Sequence, residues 1–209
     1  MRSESNPERY FLARSLAPDL VRPEDIIEYD LDSNAVADER ESVRERFIHG
    51  AVYTARPEIQ AVVHSHAAAV IPFSVTRVPM RPIFHMAAFV GEGVPVFEIR
   101  DVQGGTDLLV KTPGLGRALA AVLSDKPAAL MRGHGSVVVG ENLPRAVGRA
   151  IYLDLSAHMQ MQAIALAGAT TAVTYLDEDE VRASAPPQDY GRAWPLWRAR
   201  ALKQMQDEA

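Results

Sequence analysis

Cysteine is absent from the 209-residue chain. Its absence excludes disulfides, thiolate metal sites and cysteine nucleophiles together. Histidine, aspartate and glutamate are left as the metal-binding side chains. Basic runs are also absent, and the formal net charge is -5. Such a chain does not neutralise phosphates, so nucleic acid is not an expected partner. No apolar run approaches the roughly 18 to 20 residues that a membrane span needs. The opening "MRSESNPERY" lacks the apolar centre of a signal peptide. The expectation is a cytoplasmic protein with no membrane partner.

Hydrophobic residues make up 47% of the chain and charged residues 23%. That is enough apolar material for one sizeable core, and a single domain over residues 1–209 is expected. "RYFLARS" (9–15) reads as a short strand, and "DIIEYDLDSNAV" (25–36) as a strand, a turn at Asp32-Ser33-Asn34 and a return. "ESVRERFIHGAVYTARP" (41–57) reads as a helix with an apolar stripe of Val43, Phe47, Ile48 and Val52. "AVVHSH" (61–66) and "VPVFEI" (94–99) read as strands. "GLGRALAAVLS" (114–124) opens a helix, and "AALMRGHGSVVVG" (128–140) holds two strand-like pieces around a Gly-His-Gly turn. Residues 143–169 read as one long helix with Pro144 in its first turn. Strands alternate with helices but without a regular βαβ rhythm. The expected class is therefore α/β, with a mixed or antiparallel sheet covered by helices.

Three histidines stand out. His64 and His66 are two apart in a strand-like run, so their side chains share one face, roughly 7 Å apart along the chain. Two imidazoles at that spacing can converge on one cation. His134, held between Gly133 and Gly135, can be presented by a tight turn at a strand edge. Three protein ligands with an open position make a catalytic rather than a structural metal site. Glu45 is read from position alone as a solvated helix charge between Arg44 and Arg46, with His49 one turn later. "GLG" (114–116) reads as packing, and His158 as core or interface.

"ERFIHGAVYTARPEIQAVVHSH" together with "RGHGSVVVG" resembles the class II aldolase/adducin family, over roughly residues 10–176. The resemblance implies an α/β/α fold around a mostly antiparallel sheet. It implies one divalent metal ion per subunit on His64, His66 and His134. It also implies that Glu45 is the catalytic acid/base and a fourth metal position when no substrate is bound. Zinc or manganese is expected, and iron or cobalt suits the same donors. Family members are usually homotetramers with sites at subunit boundaries, and normally carry a helix and loop ahead of the region where this chain starts. Sugar-phosphate members have a Ser-Ser before the glutamate and a Thr-x-Ser-Gly turn. Here Val43-Arg44 and "ARSLAP" (13–18) stand there, so the phosphate pocket is expected to be lost.

"RPIFHMAAF" (81–89) and "LMRGHG" (130–135) are similar to the branch that decarboxylates hydroxylated aromatic dicarboxylates, of dihydroxyphthalate or hydroxy-pyridinedicarboxylate type. On that reading Glu45 or His85 supplies a proton. Arg14 and Ser15 hold a second carboxylate, since an arginine offers paired donors to a planar acid. Arg132 and Tyr190 complete the substrate-binding set, with Tyr190, Trp194 and Trp197 resembling an aromatic tail that folds over a neighbour's site. An aldolase of a non-phosphorylated hydroxy-keto acid and a non-catalytic adducin-like scaffold are the alternatives.

Overall fold

A computed structural model describes residues 1–91, 93–184 and 190–207. Its strands are β1 (Arg9–Ala13), β2 (Ile26–Asp30), β3 (Ala61–Ser65), β4 (Val96–Phe97), β5 (Ala128–Met131) and β6 (Gly135–Gly140). Its α-helices are α1 (Arg46–Ala55), α2 (Ile71–Val75), α3 (Arg100–Gln103), α4 (Pro113–Leu123), α5 (Leu143–Ala167), α6 (Glu178–Ser184) and α7 (Trp194–Asp207). β1 and β2 form an antiparallel pair, and the other four strands form a sheet in the order β3-β6-β5-β4. β3–β6 and β6–β5 are antiparallel, and only β4–β5 is parallel.

The layering follows from side-chain alternation along a strand. On β6, Val137 and Val139 face a core shared with Ile48 and Val52 of α1 and Leu115 and Leu119 of α4. Val138 faces the opposite side, where Phe73 of α2 and Leu153 and Ala157 of α5 pack. Every residue of β5 and β6 is buried, because helices cover both faces. This is the α/β/α arrangement with a mostly antiparallel sheet. Side-chain caps start α4 and α5. Thr112 Oγ1 accepts the Leu115 N–H at 3.3 Å, and Asn142 Oδ1 accepts the Arg145 N–H at 2.8 Å.

Among the boundaries that differ from the sequence expectation, three are the largest or bear on the site. The helix expected over 41–57 begins at Arg46, so Glu45 is its N-cap residue and not part of an interior turn. Residues 41–42 are held instead by β1's continuation: the Ser15 N–H donates to Glu41 O at 2.8 Å, and Arg14 bridges Ser42. The strand expected over 94–99 shrinks to Val96–Phe97 at the sheet edge. The long helix ends at Ala167, with Gly168 at φ +56° beyond it. Among the described residues, no helix is long and apolar enough to cross a membrane.

Candidate metal centre

His64 lies in β3, His66 one residue beyond its end, and His134 one residue before β6. β3 and β6 pair antiparallel, with His64 opposite Val137 and Ser65 opposite Ser136. The end of one strand thus meets the start of the other, and three histidines distant in sequence share one corner of the sheet. The approach at that corner is close. A Cβ at Gly135 would stand 2.1 Å from Ser65 O and 3.1 Å from His66 Cα, so only glycine fits. Gly133, at φ +64°, makes the preceding turn.

Glu45 reaches the same corner from the start of α1. One ligand atom from each of Glu45, His64, His66 and His134 lies within 4.8 Å of the other three. Glu45 Oε2 is 3.2 Å from His64 Nε2 and 3.3 Å from His134 Nε2, and the Nε2 atoms of His134 and His66 are 2.9 Å apart.

Backbone carbonyls set the tautomers of two rings. His64 Nδ1 lies 3.0 Å from Ser136 O, and His134 Nδ1 lies 2.8 Å from Leu108 O. A carbonyl oxygen only accepts, so each Nδ1 carries the hydrogen and donates it. Each neutral ring then turns the lone pair of Nε2 into the cluster, the orientation that a metal ligand requires. Nitrogen lone pairs and a carboxylate converging this tightly need a cation among them. An ion with bonds of about 2.0–2.1 Å in tetrahedral geometry sets its ligand atoms roughly 3.3–3.4 Å apart. Three of the six spacings, at 2.9–3.3 Å, are close to that and the rest stay within 4.8 Å, so the four residues fit a divalent ion.

The electrostatics agree. Burial opposes the charge on Glu45, but with protons on the Nε2 atoms of His134 and His64 in the place of an ion, those two rings and the Val110 N–H outweigh it. They hold the carboxyl well below the usual carboxylate range. Burial, followed by the neighbouring His64 and His134, lowers His66. His134 is raised: burial opposes its charge, and the Glu45 carboxylate and the Leu108 contact outweigh burial. His66 is the exposed member, so the cluster opens to solvent on its side.

The other residues singled out in the sequence fall elsewhere. His85 is exposed at the start of a short 3-10 helix, with its ring 6.1 Å from that of Phe84. Arg14 is tied up: its Nε donates to Asp25 Oδ1 at 2.6 Å. Ser15 contributes its backbone N–H to Glu41 O, on the segment leading to Glu45. Arg132 Nε pairs with Glu98 at 2.7 Å. Tyr190 is packed within its own chain. Its ring stacks on Tyr152 at 5.6 Å, meets Trp197 at 6.0 Å, and fills the space that a Cβ at Gly148 would occupy. Burial pushes its hydroxyl up to about 12. These surroundings make Tyr190 an anchor for the C-terminal helix. His158 is exposed in this chain. His49 is buried and stacked on Tyr10, outside the cluster. Sequence reading missed three contributors, the Ser136 and Leu108 carbonyls and the Val110 N–H, because main-chain groups carry no signal of their own.

Comparison with known proteins gives the family of the chain. Residues 6–161 match the family model described as the Class II Aldolase and Adducin N-terminal domain. The chain belongs to the class II aldolase and adducin family, and it is a lyase. It is 34% identical over 221 residues to "Decarboxylase tropJ" of Talaromyces stipitatus, covering 93% of this chain and 83% of that protein. It is 30% identical over 152 residues to the 3,4-dihydroxyphthalate decarboxylase of a Terrabacter species, covering 70% of this chain and 61% of that protein. Its fold is that of the L-fuculose 1-phosphate aldolase from Glaciozyma antarctica PI12. That match has a TM-score of 0.73 at 23% identity and covers 98% of this chain and 76% of the other.

Proposed function

We propose that the chain is a metal-dependent decarboxylase of a hydroxylated aromatic dicarboxylate, of dihydroxyphthalate or hydroxy-pyridinedicarboxylate type. The observation that carries this reading is the convergence of Glu45 with His64, His66 and His134 in a chain two of whose relatives, 34% and 30% identical, are named decarboxylases. His64, His66 and His134 would hold zinc or manganese, with Glu45 beside them. The ion supplies Lewis-acid stabilisation of negative charge on substrate oxygen.

The chain's own residues do the rest. Glu45 is held as a carboxylate, so it acts first as a proton acceptor. It takes the proton of the substrate's ring hydroxyl and returns it to the ring carbon that bears the carboxylate, which converts the ring to its keto form. The bond from that carbon to the carboxylate then breaks. Carbon dioxide leaves, and the electron pair of the broken bond restores the aromatic ring. Val110 N–H fixes Glu45 Oε1 at 2.9 Å and leaves Oε2 facing the histidines. A second carboxylate of the substrate falls to Arg14 and Ser15, with Arg14 exchanging its Asp25 partner, or to Arg132. His85 acts across the boundary with a neighbouring subunit of a homotetramer, while Tyr190 anchors the C-terminal helix within its own chain.

The test is carbon dioxide release by the protein loaded with manganese or zinc. Hydroxy-phthalates and hydroxy-pyridinedicarboxylates are offered beside hydroxy-keto acids assayed for pyruvate or aldehyde. Release from a ring diacid, lost with a chelator, is the expected result. Pyruvate or aldehyde without carbon dioxide overturns the decarboxylase reading in favour of an aldolase.

A further inference from the structure

The loop between α3 and α4 touches the cluster twice. Leu108 offers its carbonyl to His134 Nδ1–H at 2.8 Å, and Val110 offers its N–H to Glu45 Oε1 at 2.9 Å. Three residues of main chain thus orient one histidine and the carboxylate opposite it. An extended chain sends the carbonyl of one residue and the amide two residues on to the same side, so the two contacts suit each other. The direction of the pair relative to the incoming chain is set at Leu108, which stands at φ +69°, a left-handed conformation that is unfavourable for leucine. Something must hold it there. The Thr106 side chain does so: its Oγ1 accepts the Leu108 N–H at 2.9 Å. Such a turn from a threonine hydroxyl competes with regular backbone pairing and stabilises a local reversal.

We infer that Thr106 is a positioning residue of the metal centre, holding Leu108 left-handed so that one loop orients both His134 and Glu45. This rests on the metal-centre reading above. Among the described residues, Thr106 makes its hydrogen bond to Leu108 and not to His134 or Glu45, and acts through Leu108. Its neighbour Asp107 supports the same turn by accepting the Leu109 N–H at 3.3 Å.

The experiment is chelator competition for zinc or manganese with the full chain, with thermal unfolding of the metal-free protein measured in parallel. Thr106→Val keeps the β-branched shape and removes the acceptor. Its affinity for the metal is expected to fall about tenfold, the low end for losing an outer partner of a ligand. Metal-free unfolding should shift little, and Thr106→Ser, which restores an acceptor, should recover most of the affinity. Unchanged affinity in Thr106→Val overturns the inference. So does an equal loss in the valine and serine variants, or a loss matched by general destabilisation of the metal-free protein. Absence of metal binding by the parent chain overturns the metal-centre reading itself, a different result from any of these.

Discussion

The Nε2 atoms of His66 and His134 face one another at 2.9 Å across the junction of β3 and β6. Two imidazole nitrogens sit that close only with a proton or a metal ion between them. With His134 Nδ1 donating to Leu108 O, its Nε2 lone pair is aimed at the gap. We expect His66→Ala and His134→Ala each to lower divalent-metal affinity by more than about 100-fold, beyond the loss seen for outer partners. Metal analysis of the purified variants checks this, and stoichiometric metal in either variant would remove that residue as a ligand.

Glu45 is the only carboxylate of the cluster, and both its oxygens are engaged. Glu45→Gln keeps the shape but cannot accept and return a proton. Turnover should fall by roughly 10²–10⁴, the usual contribution of a positioned acid/base, while the three histidines retain metal. Steady-state rates beside metal content distinguish the two effects. Normal turnover would remove the proton-transfer role.

Gly135 sits where any side chain would collide with Ser65 O. Gly135→Ala must push β3 and β6 apart at the corner that carries the histidines. The expected cost is about 1–3 kcal/mol, as for overpacked interiors, together with loss of metal binding. Urea unfolding and metal analysis give the two numbers. A variant of wild-type stability that still binds metal would show that the strands accommodate a methyl group.

His49 gives the pH dependence. Burial holds its imidazole neutral, down to about 3 from the ordinary 6.5. The unfolded chain takes up a proton near pH 6.5 and the folded chain does not. The stability this residue allows is therefore fully present above that pH and is lost as the pH falls from 6.5 toward 3. The loss is at most about 1.4 kcal/mol per pH unit. Its Nδ1 is buried without a partner and its ring stacks on Tyr10, so phenylalanine suits the space. His49→Phe should flatten the acid limb in denaturant melts from pH 7 to 4 with chelator present. An unchanged slope would mean that His49 is protonated in the folded protein.

Much of the site was legible in the chain. His64 and His66 announced themselves by a spacing of two within an apolar run, and His134 by its flanking glycines. A strand's alternation and a glycine's freedom are local properties, so local sequence reports them. The α/β class was legible in the alternation of strands and helices, and the mostly antiparallel sheet in the resemblance to the family. The start of α1 was not. The pattern from Glu41 to Pro57 looks continuous, yet Glu41 and Ser42 are held by Ser15 and Arg14, some 26 to 28 residues earlier. Glu45 therefore stands at the N-cap position, just ahead of the helix, with its side chain turned toward the histidines, where position alone suggested a solvated charge.

Arg14, Arg132 and Tyr190 show the other limit. Their types suit a carboxylate or an aromatic substrate, but Asp25, Glu98 and the Gly148 cradle engage them. Partners distant in sequence decide what a side chain of suitable chemistry is free to do. The sequence by itself determined the donor set: no cysteine, three histidines, and a glutamate in a pattern the family shares. Only the tertiary structure decided that these donors meet. Antiparallel pairing of β3 with β6 joins residues some 70 positions apart, and a left-handed Leu108 turns its carbonyl to one of them. Convergence of that kind depends on long-range register and main-chain direction, which no short stretch of residues encodes.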